Sequence, residues 1–502
     1  MPPFYRASYN RPMTDFDLDI ALFTSAQARA IDRRAIDGLG IPGFELMTRA
    51  AAAAFAMLRR RWPEARHLRV VCGTGNNGGD GYLVARDALA NGLAVDAVAL
   101  GPPRGADAVS ARAAFEALGG TVHPLSAWPG LSPADVVVDA LFGTGFDRAP
   151  EGEAREAIEA INASGVPVLA LDVPSGLSAD TGACPGVAVR ASATATFIVH
   201  KRGLHTHRAE LAGEVELQSL DLPREVLEAP DAWLMVASSL PPRPRDSHKG
   251  ANGHVLAIGG DHGTGGAIRM AAEAALRSGA GLVSVATHEQ NVLAMNAARP
   301  ELMARAVNGP QALQPMLDKA SVVALGPGLG QGAWGHALWT TALDMDLPTV
   351  LDADGLNLLH AEPRRLPAKA VLTPHPGEAG RLLGIETAAV QADRFAAARE
   401  LARRHRAVVV LKGNGSLVAS PDGEVSVCPW GNPGMASGGM GDTLTGIIAG
   451  LLGQGCDPYR GACLGVALHA RAADVAARAG ERGLLAGDLL EPLRRLVNGL
   501  DA

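Results

Sequence analysis

Short apolar runs recur along this chain. Each ends in a cluster of glycine and polar residues, and most are followed by a segment with helical period. In the first half, Leu68–Val71, Val95–Leu100, Asp135–Ala140 and Val166–Leu171 read as strands. In the second half the same reading falls on Gly253–Gly259, Gly281–Ala286, Ser321–Leu325, Thr349–Asp352, Ala370–Leu372 and Val408–Leu411. Runs this short and this continuously apolar suit a parallel sheet covered on both faces. Helical periodicity is found from Ser25 through Ala28, Ile31 and Ile36, with Thr24 or Ser25 as cap, and then over Gly43–Arg61, Ser110–Leu118, Ala267–Ser278 and Leu444–Leu452. Strand and helix alternate throughout, which predicts an α/β protein.

At 502 residues the chain is too long for one ordinary core, so two domains are expected. The stretch 226–248, containing SSLPPRPRDSHKG, is rich in proline and charge and has no apolar period, so it reads as a join. The expected division is 1–235, a linker at 236–248, and 249–502. A net charge of −7 leaves no nucleic-acid footprint. The five cysteines are scattered without a C-x-x-C pair, which argues against disulfides or zinc and for a reducing compartment. The first twenty residues lack an apolar signal region, and Ala50–Leu58 is too short to span a bilayer. A cytoplasmic protein without membrane or nucleic-acid partners is expected. A homo-oligomer is also expected, although the apolar segments Ile31–Ile36 and Leu46–Leu58 suit a core as well as an interface.

The polar residues at strand ends suggest chemistry. Gly73, Gly75 and Gly78 fit G-x-G-x-x-G, with Asp96 about 20 residues on, as in a dinucleotide-binding dehydrogenase. But Asn76, Asn77 and Asp80 lie inside the turn, where a plain pyrophosphate loop needs bare backbone. They suit a cation or a polar substrate, or serve only as turn formers. Asp139 and the pair Asp172/Ser175 close two further strands, and α/β sheets bind ligands beyond such ends. Two carboxylates and an amide with no basic neighbour suit a monovalent or divalent cation.

In the second half, the stretch from Asn432 to Gly450 feeds a glycine loop into a helix, leaving free N–H groups for an anion such as phosphate. Asp442 at that mouth either N-caps the helix or takes a proton from a substrate hydroxyl. Gly326–Gly330 permits close backbone approach by a ligand. His375, beside Glu378, reads as a hydrogen-bonding reader of substrate in preference to a structural turn residue. Lys412–Ser416 puts one positive charge and a glycine turn near a nucleotide phosphate. No Walker A pattern occurs.

Two resemblances follow. GTGNNGGDG, VVDALFGTGFDRA and LALDVPSGL, within roughly residues 22–225, resemble the YjeF N-terminal domain, an NAD(P)H-hydrate epimerase of Rossmann-like three-layer α/β/α fold. The resemblance implies that Asn77, Asp139 and Ser175 hold K+. It implies that Asn76, Asn77, Gly78, Gly79 and Asp80, then Gly143, Thr144, Gly145, Phe146, Asp147, Arg148 and Ala149, contact the hydrated nucleotide. Asp172 contacts it too and is the acid–base candidate, with Lys201 near the site.

SHKGANGHVLAIGG, GPGLG, LDADGLN, TPHPGEAGRLLG and NPGMASGGMGDTLTGIIAG, over about 245–495, resemble the YjeF C-terminal domain, a ribokinase-like ADP- or ATP-dependent NAD(P)H-hydrate dehydratase. By that resemblance Lys412, Gly413, Asn414, Gly415, Ser416 and Gly441 bind ADP or ATP with Mg2+. Ala267, Gly328, His375 and Asp442 contact the hydrate, and Asp442 is the base. The pair implies metabolite repair, in which NADHX and NADPHX epimers are interconverted and the S form is returned to NAD(P)H. The rival expectation is a ribokinase-type vitamin-alcohol kinase with a non-catalytic ligand- or RNA-binding first module.

Overall fold

The structure, a computed structural model, describes residues 16–145 and 148–500. Contacts divide the chain into two compact units, with the division after Trp233.

The first unit contains the strands β1 (Ala21–Phe23), β2 (His67–Cys72), β3 (Ala94–Ala99), β4 (Val122–Pro124), β5 (Val136–Ala140), β6 (Val168–Leu171), β7 (Ala193–Phe197), β8 (His200–Lys201) and β9 (Glu214–Gln218), and ends in β10 (Ala232–Leu234). Seven of them form one parallel sheet in the order β4-β3-β2-β5-β6-β7-β9. β1 pairs separately, antiparallel with β10 and parallel with β8. Sequence periodicity misses β7. Its alternation of Ala193, Ala195 and Phe197 with Thr194 and Thr196 is buried on both faces, and the Thr194 hydroxyl escapes isolation by donating to the Ala212 carbonyl at 2.6 Å. The first helix, Ser25–Arg33, starts at a capping box between Thr24 and Gln27 and runs into a π-helical turn, Arg34–Gly38. A cap of this kind contributes about 1 kcal/mol.

The second unit contains β11 (His254–Ile258), β12 (Leu282–Thr287), β13 (Met303–Ala306), β14 (Val322–Leu325), β15 (Thr349–Leu351), β16 (Ala370–Leu372), β17 (Val408–Leu411), β18 (Leu417–Ala419) and β19 (Val425–Val427). Their order is β13-β12-β11-β14-β15-β16-β17-β18-β19, parallel through β17 and antiparallel beyond it. The buried β-branched and leucine runs predicted β11, β12 and β14–β17 as parallel strands, with ends within two residues of those observed; β13 and the antiparallel β18 and β19 were not read from the sequence.

Helix starts were read less well. The helix expected from Ser110 begins at Ala106, and that expected from Ala267 begins at Gly265. The helix expected from Leu444 spans Met440–Gly453, with Gly439 in the left-handed region as its N-cap. This helix presses on Gly265–Arg277 with almost no intervening side chain. A Cβ at Gly446 would collide with the Ala271 carbonyl, and one at Gly450 with the Ser278 hydroxyl.

Candidate functional site

In the first unit the chain leaves β2 toward one sheet edge and later returns at β5 to build toward the other. The crevice between β2 and β5 is therefore a topological switch point, where α/β sheets bind ligands. The ends of β2, β5 and β6 are neighbours there. They bring Asn77/Asp80, Asp139 and Asp172/Ser175 together, as the strand-end reading expected. The outer two glycines of G-x-G-x-x-G, Gly73 and Gly78, pack backbone on backbone, whereas Gly75 faces open space. A Cβ at Gly73 would strike the Leu141 carbonyl, and one at Gly78 the Gly73 carbonyl. Asp96 lies within β3, away from the crevice, with His67 Nε2 at 3.0 Å and the Arg69 guanidinium at 3.3 Å. The dehydrogenase fingerprint is thus a structural turn and a strand ion pair, and that reading fails.

Asp139 is fully buried. One of its oxygens accepts from the Ser175 hydroxyl at 2.7 Å and the other from the Ser175 N–H at 2.8 Å. Burial pushes its pKa up to about 6 against those hydrogen bonds. Asn77 donates to the Phe142 carbonyl at 3.0 Å, while its own Oδ1 is buried with no hydrogen-bond partner. An orphaned buried oxygen costs about 1–3 kcal/mol unless something binds it. The oxygens of Asn77, Asp139 and Ser175 fit a hard cation such as K+, which takes oxygen donors. Among the described residues no group of three or more His, Cys, Asp or Glu side chains is placed to hold a metal ion.

Beside this, Asp172 adopts a left-handed backbone, φ 65°. Its carboxylate pairs with Lys201, whose side chain is 2% exposed, and accepts from the Thr144 N–H at 3.3 Å. Lys201 also donates to the Phe197 carbonyl at 2.7 Å. Burial holds Asp80 well above the usual carboxylate range, Asp172 and Asp32 add to the rise, and Lys201 opposes it. Burial and Asp172 raise Asp32 as well. Asp32, from the first helix, stands near enough to couple electrostatically with Asp80, Asp172 and Lys201, and sequence reading did not single it out, since its motif carries no signal. A Cβ at Gly143 would lie 3.1 Å from Asp172 Oδ2, so a ligand reaching Asp172 passes over bare backbone. Asn76, Gly145, Arg148 and Ala149 are exposed around the crevice, and Gly78 and Gly79 are buried beneath it. Phe146 and Asp147 lie outside the described residues.

In the second unit the switch point falls between β11 and β14. The loops after them are tied together. The Asp261 N–H donates to the Gly328 carbonyl at 2.7 Å, and the Thr264 hydroxyl donates to the same carbonyl at 2.8 Å. Ala267 sits partly exposed in the first turn of the next helix.

Lys412 follows β17 and reaches back to Asp352, which follows β15. Lys412 Nζ is 3.0 Å from Asp352 Oδ1, and Thr445 donates to Asp352 Oδ2 at 2.8 Å. Burial works to raise Asp352, but Lys412 and the threonine hydroxyls hold it below the usual carboxylate range. Burial likewise opposes the Lys412 ammonium, and Asp352 with Glu378 outweighs it. The buried Arg394 guanidinium donates to the carbonyls of Leu411 and Lys412 at 3.2 and 3.3 Å, fixing the base of the Lys412–Ser416 loop. A Cβ at Gly441 would lie 3.2 Å from Lys412 Nζ, so the anion loop and the lysine face each other.

Asp442 is the third residue of its helix, not its cap, and makes no side-chain hydrogen bond among the described residues. Burial first, then the nearby Asp352, raise its pKa to about 6, with Lys412 opposing. His375 caps the helix Pro376–Leu383. Its Nδ1 accepts from the N–H groups of Gly377 and Glu378 at 3.0 and 3.4 Å. The structural turn role is therefore present, and Nε2, which lies 3.5 Å from Glu378 Oε1, is the ring edge left nearest a ligand.

The NAD(P)H-hydrate dehydratase family model matches residues 255–495, and that of the YjeF-related protein N-terminus matches residues 43–203. The chain is 48% identical to the bifunctional NAD(P)H-hydrate repair enzyme Nnr of Coxiella burnetii, over 95% of this chain and 99% of that one. It is 45% identical to the enzyme of the same name from Escherichia coli, over 93% and 92%. Among solved structures it is similar to an ADP/ATP-dependent NAD(P)H-hydrate dehydratase from Bacillus subtilis, at 33% identity and a TM-score of 0.48, over 52% of this chain and 95% of that one.

Proposed function

The chain belongs to the bifunctional NAD(P)H-hydrate repair enzymes, and from that premise we propose how its two crevices divide the work. The first unit interconverts the R and S hydrates of NADH and NADPH. The second returns the S hydrate to the reduced nucleotide at the expense of a phosphoryl donor, ADP or ATP with Mg2+.

In the second unit, Asp442 takes the proton from the hydroxyl on the hydrated ring. That oxygen attacks the terminal phosphorus of the donor, and the bond from phosphorus to the nucleotide breaks. Lys412 and the N–H groups of the 439–441 loop face the phosphoryl oxygens as charge moves. The ring nitrogen's electron pair then expels the phosphate with its C–O pair. A proton leaves the neighbouring ring carbon, and the reduced nicotinamide is restored. The observation that carries this reading is the unbonded Asp442 carboxylate at a helix start, opposite Lys412, with its pKa near 6. A base that is ionised at neutral pH and not committed to a cap is what the transfer requires.

In the first unit, Asp172, backed by Lys201, moves protons on and off the carbinolamine. Asn77, Asp139 and Ser175 would hold K+, which would supply fixed positive charge beside the nucleotide.

The test is recovery of reduced-nicotinamide absorbance from mixed hydrate epimers, with ADP and ATP supplied in turn. Full recovery with one nucleotide establishes both activities and names the donor. Recovery that stops at one epimer's share removes the first-unit assignment. A vitamin-alcohol kinase would instead leave a stable phosphoester, and the near full-length likeness to repair enzymes does not favour it.

A further inference from the structure

We infer that His262, backed by His288 and Trp334, is a stacking platform for the adenine of the hydrated dinucleotide in the second unit; this rests on the dehydratase reading above. The three rings come from three separate elements. His262 is in the loop after β11, His288 follows β12, and Trp334 opens the helix Ala333–Leu343. The ring centroids of His262 and His288 are 3.8 Å apart with the planes tilted by 46°, and His288 meets Trp334 edge-on at 6.1 Å and 68°. The first and last rings are held by hydrogen bonds: His262 Nδ1 lies 3.1 Å from Gln290 Oε1, and Trp334 Nε1 donates to the Val307 carbonyl at 2.7 Å. His288 is anchored through its backbone, whose N–H donates to the Gly260 carbonyl at 3.2 Å, and its ring Nδ1 is buried without a partner among the described residues. This aromatic cluster ends at His262, which is exposed. A planar ring held in place, with one face in solvent and others behind it, can accept a base by stacking, and imidazole serves this purpose in nucleotide recognition.

Position selects the occupant. The His262 loop is bolted to Gly328 by its two neighbours, Asp261 and Thr264, so the platform borders the β11–β14 crevice. The donor loop Lys412–Ser416 follows β17, four strand spacings from β11, or about 19 Å across the sheet. Asp442 lies between, on a helix packed against both β11 and β15. Donor phosphates at Lys412 and a reacting ring at Asp442 leave the β11 side for the far half of the hydrate. That half ends in a planar purine. The donor's own adenine starts from the opposite end.

The experiment compares His262→Ala with His262→Phe, using purified full-length enzyme, S hydrate and a saturating donor nucleotide. His262→Ala is expected to raise KM for the hydrate about tenfold, the size of one lost base stack, with kcat and the nucleotide KM holding. His262→Phe, which restores a planar face, is expected to recover most of that loss. With the hydrate of reduced nicotinamide mononucleotide, which lacks the adenylate half, wild type and His262→Ala should have the same KM. An unchanged hydrate KM in His262→Ala overturns the inference. So does a rise in the nucleotide KM instead, an equal penalty on the mononucleotide hydrate, or a phenylalanine variant as poor as alanine. Failure of the wild type to dehydrate any hydrate would instead remove the parent reading.

Discussion

Lys412 does not wait for its nucleotide unpartnered: its ammonium rests 3.0 Å from Asp352, and Asp352 is fastened to Thr445, three residues along the helix from Asp442. One buried carboxylate therefore sets both the lysine that faces phosphate and the helix that carries the base. Asp352→Ala should lower stability by about 3–5 kcal/mol, because it strands a largely buried lysine. It should also lower dehydration, because Lys412 and the helix that carries Asp442 both lose a shared anchor. Denaturant titration beside steady-state kinetics checks this. A stable and fully active variant would remove Asp352 from the site.

Asp442→Asn should abolish dehydration, by at least about a hundredfold, while the fold persists. The same variant should be more stable than wild type at pH 8. The folded pKa of about 6 stands above the ordinary 3.8, so the folded state holds its proton more tightly and loses stability as pH rises between those values. The gain should be on the order of 1–3 kcal/mol at pH 8 and vanish below pH 4. Melting temperatures of both proteins across that range are the measurement.

The pH profile of dehydration should share that origin. kcat/KM should fall tenfold per pH unit below about 6, as Asp442 takes up its proton. Lys412 lowers the Asp442 pKa and Asp354 raises it. Lys412→Met should therefore move the acid limb to higher pH, and Asp354→Asn should move it lower. A limb that ignores both substitutions would assign it to another group.

Asp172→Asn should slow use of the R epimer by about a hundredfold or more and leave turnover of pure S hydrate intact. It should also destabilise the first unit, since Lys201 is 2% exposed and would lose its carboxylate. The double variant Asp172→Asn with Lys201→Met should regain stability and stay inactive as an epimerase. Recovered epimerisation in that double variant would count against the assignment.

Exchanging K+ for tetramethylammonium should depress epimerisation and lower the melting temperature of wild type. Asn77→Leu, which removes the orphaned Oδ1, should make both quantities indifferent to the cation. An Asn77→Leu protein with undiminished K+ response would place the ion elsewhere.

Strand ends were legible because a buried parallel strand must be apolar until it meets the crevice, where polar residues become affordable. Asn77, Asp139 and Asp172 stand out for that reason, whereas Asp442 stands out because a glycine loop runs into its helix. Asp352 was not singled out, although it lies in LDADGLN, because a pair joining the ends of β15 and β17 has no local spacing. Asp32 was missed for the same reason, being brought in by a helix that ends far from the motif in sequence. Asp96 was over-read, since its offset from the glycines matched a fingerprint while strand register placed it mid-strand, beside Arg69. The start of the helix at Met440 was misjudged because Gly439 and Gly441, poor helix formers in isolation, are tolerated where the backbone comes close to Met270 and to Lys412 respectively.

The glycine face of Met440–Gly453 has a mechanical consequence. With Gly446 seated on the Ala271 carbonyl and Gly450 on the Ala275 carbonyl beside the Ser278 hydroxyl, this helix and Gly265–Arg277 meet main chain to main chain. The two travel as a single girder, and the separation of Asp442 from Ala267 is set by main chain, not by deformable side chains. A side chain larger than glycine at position 446 or 450 would wedge the two helices apart and shift Asp442 relative to Ala267.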